Sequence, residues 1–103
     1  MNWDKETYDL KRIKEKTSHQ IAFKYLGDKE IDTATSSCGC STPTIEGNVV
    51  RVIYTSGEVP KHIIKEGKNE YETTKSIKVK FKDTEEFTVL RFTAIVERLI
   101  RRP

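Results

Sequence analysis

Apolar residues in this chain recur mostly at every second position, the period of a strand whose two faces meet different surroundings. Ile77, Val79 and Phe81 alternate with Lys78, Lys80 and Lys82. That run predicts a strand with three apolar side chains inward and three lysines outward. Ile21, Phe23 and Tyr25 alternate with Ala22 and Lys24 and stop at the turn Gly27-Asp28-Lys29, and Ile31, Thr33 and Thr35 then carry the period on. Residues 49–55 are the strongest β-forming run, apolar on both faces, and are expected at the centre of a sheet. After a short connection at 83–86, residues 87–99 predict a long closing strand. Phe87, Val89 and Arg91 lie on one side of it, and Thr88, Leu90, Phe92, Ala94 and Val96 on the other.

The remaining segments are less regular. Residues 1–18 are polar around Trp3, Tyr8, Leu10 and Ile13, whose spacing suits either an edge strand or a helical turn. They read as an arm that becomes a strand around residues 8–13. Pro43 and Gly47-Asn48 mark a loop, and residues 61–72 read as a long loop anchored by Ile63 and Ile64. No helix of ordinary length fits after residue 18. Five to seven strands joined by turns predict an all-β, antiparallel sandwich. Its expected division is an arm or edge strand over 1–16, the sandwich over 17–100, and a basic tail, Arg101-Arg102-Pro103.

A length of 103 residues allows one domain with one core. The 19 basic and 16 acidic residues are mixed along the chain and leave a net charge of only +3, so charge gives no nucleic-acid or membrane signature. No apolar segment follows Met1-Asn2-Trp3 as a secretory leader, and no run is long enough to span a membrane. The expectation is a protein made and kept in the cytoplasm, with Cys38 and Cys40 as free thiols. A bridge between them would also close a very small ring.

Both cysteines sit in the run Ser37-Cys38-Gly39-Cys40-Ser41-Thr42-Pro43. With the flanking strands over 20–25, 31–35, 50–54, 77–81 and 89–96, it resembles the domain-of-unknown-function 1573 family. The resemblance covers roughly residues 17–98 and implies an immunoglobulin-like sandwich of the Hydin or major-sperm-protein type, of about seven strands. Relatives of that kind are usually exported behind a leader. Their proline-glycine turn before the central strand is reduced here to Glu46-Gly47-Asn48. Leaderless small immunoglobulin-like domains also resemble auxiliary proteins of tailed-phage heads, a likeness of fold alone.

Candidate sites follow. Cys38, Gly39 and Cys40 read as a structural motif: two mostly buried small side chains around a glycine in a conformation that a side chain would disfavour. A metal reading would need His19 and His62 as well, at spacings matching no zinc pattern. A redox reading would use the two thiols alone. Glu85 and Glu86 are adjacent on a strand and point apart, so they form no acid–base pair. Lys78, Lys80 and Lys82, with Lys75 near them, form a row that either blocks edge pairing or meets an acidic partner. No aromatics are interleaved for nucleic-acid binding. Trp3, in a polar arm, suits an interface anchor or a residue folded back on the core. These readings define a non-enzymatic, cofactor-free, protein-binding module, with an auxiliary (decoration) protein of a phage capsid lattice, and hence a virion location, as first expectation. The alternatives are an adaptor that binds a protein by strand addition and a small metal or redox protein using Cys38 and Cys40.

Overall fold

A computed structural model describes residues 2–99; the predicted tail at 101–103 lies outside them. Seven strands run in the order β1 (Thr7–Lys14), β2 (Ser18–Lys24), β3 (Ile31–Ser36), β4 (Ser41–Glu46), β5 (Val49–Thr55), β6 (Glu70–Phe81) and β7 (Phe87–Glu97). A single helical turn, α1 (Lys61–Lys65), stands between β5 and β6. The strands form two sheets, β1-β7-β6-β3 and β2-β5-β4. In the lettering of immunoglobulin sandwiches the second is B-E-D, and β7-β6-β3 of the first is G-F-C.

The core is what the alternation predicted. Ile21 and Phe23 of β2 and Val50, Val52 and Tyr54 of β5 face Ile77, Val79 and Phe81 of β6 and Leu90, Phe92, Ala94 and Val96 of β7, all buried. Tyr54 meets Phe92 edge to face across the layers, with ring centroids 5.1 Å apart. Strand β5 is central in its sheet, as expected, but only one of its faces is buried; Ile53 on the other is 48% exposed.

The first strand departs from the antiparallel expectation, because β1 pairs with β7 in parallel. Its register shifts between Asp9 and Arg12, where Lys11 has a φ of 60° and its N–H donates to Asp9 Oδ1 at 2.8 Å. This is a β-bulge, and the extra residue turns Ile13 inward three positions after the half-buried Leu10. The helix-like spacing in the sequence is therefore a strand with an insertion.

Two further segments differ from expectation. Ser41–Glu46, read as loop, is an edge strand in which Pro43 is tolerated because one side of the strand has no partner. Gly47-Asn48 forms the two-residue hairpin to β5, with Gly47 at a φ of 63°, the left-handed first position that a II′ turn requires. The expected long loop after residue 60 contains α1, which ends in a Schellman motif: Gly67 at φ 84°, its N–H on the Ile64 carbonyl and that of Lys68 on the Ile63 carbonyl. Among the described residues no helix is long and apolar enough to cross a membrane.

Candidate functional site

The cysteine stretch is the corner between β3 and β4, where the chain passes from one sheet to the other. Cys38 and Cys40 are joined in a disulfide with their α-carbons 5.4 Å apart. This corrects the expectation of free thiols. The turn already holds the two α-carbons within the ordinary disulfide span, so the small ring closes without displacing the strands. It also corrects the expectation for the motif itself. Both cysteines are half-buried, Gly39 is exposed without a positive φ, and a β-carbon there would meet nothing within 4 Å. The glycine is not demanded by its backbone.

Hydroxyls hold this corner. Ser36 Oγ donates to the Cys38 carbonyl at 2.7 Å, accepts the Cys38 N–H at 3.2 Å, and shares a short contact with the buried Ser41 Oγ. Ser37 exchanges two hydrogen bonds with Ser76 of β6, and the Thr55 N–H of β5 donates to the Cys40 carbonyl at 2.9 Å.

Trp3 is 2% exposed and is not a free anchor. The residues before β1 lie against β2: Trp3 bridges to Tyr25, and Asp4 exchanges hydrogen bonds with Lys24. The indole packs on the Tyr25 ring at 5.2 Å and its Nε1 donates to Thr88 Oγ1 at 3.3 Å. A polar surrounding sequence concealed this, because the burial comes from a crossover between sheets.

Lys78, Lys80 and Lys82 are exposed and outward, as the alternation predicted. They do not guard an edge, since β6 lies between β7 and β3. Lys82 pairs with Glu30 at 3.1 Å, and that bond holds its ammonium above the usual lysine value. Lys75 stands opposite the buried Phe92 and so belongs to the other face of the strand. On the outer face, Lys78 Nζ sits 4.5 Å above the ring of Phe87, which is 54% exposed. Lys78, Lys80 and Arg91 enter none of the ion pairs among the described residues. Shallow grooves of about 500 and 400 Å³ flank Phe87, one against Trp3, Val89 and Arg91, the other against Tyr25, Lys29 and Phe81. Phe87 is not among the site residues to which the sequence points. The signal was its parity with Arg91 and against Leu90 and Phe92, which puts it outside.

Other polar groups are committed to structure. Ser56, buried, donates to the Lys14 carbonyl and accepts the Thr17 N–H, and Thr17 Oγ1 meets both the Lys14 carbonyl and His19 Nε2. This cluster fastens the β1–β2 turn to the end of β5. Among the described residues no three His, Cys, Asp or Glu side chains gather as a metal site. His19 and His62 stand on β2 and α1, and the cysteine sulfurs are bonded to each other, so the four-ligand metal alternative is not assembled.

Strand order, sheet pairing and the crossing N-terminal segment define an immunoglobulin-like β-sandwich domain. The sequence signature of the family described as "Protein of unknown function (DUF1573)" matches residues 1–96, and the chain belongs to that family. No similar curated protein is found.

Proposed function

We propose that this domain is a protein-binding module, not an enzyme, and that it docks through the outer face of the four-stranded sheet. The observation that carries this reading is the exposed Phe87 beneath Lys78 and opposite Lys80, between two grooves, one of which Arg91 also lines; Lys78, Lys80 and Arg91 have no ion-pair partners among the described residues. An aromatic anchor with Lys78 over it and Lys80 opposite it, above grooves that Glu6, Glu85 and Glu86 also line, fits a protein surface that offers an apolar contact with carboxylates placed for the two lysines. The elongated body, 55 × 22 × 20 Å, suits a position along a joint between larger subunits, and a capsid lattice is one assembly with such joints.

A photo-crosslinking side chain at position 87, in cells that make the protein, tests this. A defined partner is expected at 87, lost on Lys78→Glu with Lys80→Glu. The same group at Ile53, equally exposed on the other sheet, should not capture it. Equal capture at both positions, or capture indifferent to the two charge reversals, refutes the reading.

Strand addition is a second reading, favoured by the open side of β3, an edge strand without proline. The Ser37 N–H bonds to β6, so by antiparallel alternation that of Ala34 points away from it. Ala34→Pro would block an added strand and spare the existing ladder.

A further inference from the structure

The bond between Cys38 and Cys40 contributes little that other groups do not already supply. Ser37 is held to Ser76 by two hydrogen bonds, Cys40 is held to Thr55, and Ser36 ties the turn to Ser41. A bridge across a sequence separation of 2 also removes little chain entropy from the unfolded state. Meanwhile the bond is reachable. Both cysteines are half-buried and not sealed off, Gly39 between them is exposed, and the space over Gly39 is open. The two sulfurs are not equivalent, because Cys40 packs against the core cluster while Cys38 does not. A disulfide that a thiolate can reach is open to exchange.

We propose that Cys38 and Cys40 form a reversible thiol–disulfide exchange site whose co-substrate is a dithiol, on a protein or a small molecule. A thiolate of the dithiol attacks Sγ of Cys38. A mixed disulfide forms, the bond to Cys40 breaks, and Cys40 leaves as a thiolate that takes up a proton. The second thiolate of the dithiol then attacks its own sulfur in the mixed disulfide, which closes the partner's disulfide and releases Cys38 to be protonated. Two electrons and two protons have passed to the cysteine pair, and the reverse sequence reoxidises it. This site is independent of the Phe87 face, and either can fail without the other.

The test equilibrates the full chain with graded mixtures of reduced and oxidised glutathione, and separately with dithiothreitol. Acid quenching, thiol alkylation and mass measurement follow, with circular dichroism on the same samples. Bonded and two-thiol forms are expected to coexist across the glutathione mixtures, interconvert reversibly and share one folded spectrum. A bond that resists glutathione until the protein is denatured, a bond that never forms in the oxidised mixtures, or unfolding on reduction would each overturn the proposal. With Cys40→Ala, the remaining Cys38 should form a mixed disulfide with glutathione about tenfold faster than Cys40 does in Cys38→Ala, because access controls the rate. Equal rates would overturn the assigned order of attack.

Discussion

Replacing Trp3 by alanine separates a core residue from a docking residue. The indole is 2% exposed, stacked on Tyr25 and bonded to Thr88. A fully buried tryptophan removes up to about 250 Å² from water, which at ~25 cal/mol/Å² is about 6 kcal/mol. Correcting for a partly compact unfolded chain lowers this to about 4 kcal/mol, within the usual range for such truncations. Small domains have about 5–15 kcal/mol in total, so Trp3→Ala should remove much of the stability. With a urea slope of about 2 kcal/mol/M, the unfolding midpoint should fall by about 2 M. Far-UV circular dichroism is the readout, since the variant lacks the chain's only tryptophan. Trp3→Phe keeps the stacking and loses the bond to Thr88, at a cost of about 1 kcal/mol. A midpoint shift below about 0.5 M for Trp3→Ala would refute the burial argument and return Trp3 to the role of a surface anchor.

Two pH dependences follow from groups at the end of the sandwich near α1. Glu15 accepts the Val59 N–H at 2.9 Å, and that bond holds its carboxyl below the usual range. A depressed folded value means stability present above about pH 4.3 and lost as pH falls through the folded value. Glu15→Gln should therefore lower the urea midpoint at pH 7 and match the wild type near pH 3; an equal deficit at both would refute the assignment. Burial raises both Tyr54 and Tyr71, each facing the other's hydroxyl. Raised folded values mean stability kept below about pH 10 and lost as pH rises beyond it, so phenolate absorbance should appear together with loss of β structure. Ionisation of all four tyrosines near pH 10 in a chain that stays folded would count against it.

What the sequence disclosed depended on whether the cause was local. The inward faces of β6 and β7 were legible because alternation is a local signal, fixed by the pleat. Strand β4 was not, since Ile45 is its only large apolar residue and an edge strand needs few; Pro43 then argued for a loop. The fate of Trp3 depended on a crossover that no window of sequence contains. The lysine row was visible as a face, but its place beneath no neighbouring sheet and away from any edge follows from strand order, which is set by the whole topology. The disulfide is not legible in the sequence, where an expected cytoplasmic location argues for thiols and ring size says nothing of the turn that holds Cys38 and Cys40 within bonding span.

The parallel seam between β1 and β7 joins the first and last strands of the domain, and the indole bond from Trp3 to Thr88 likewise spans 85 positions. During synthesis, at about 5–20 residues per second, the first strand of this domain has no ladder to join until its last strand has been made. Completion of the domain is thus a late, long-range closure, of the kind that slows folding. Any shortening that removes the last strand leaves the first without its neighbour too, so one cut exposes two unpaired borders at once.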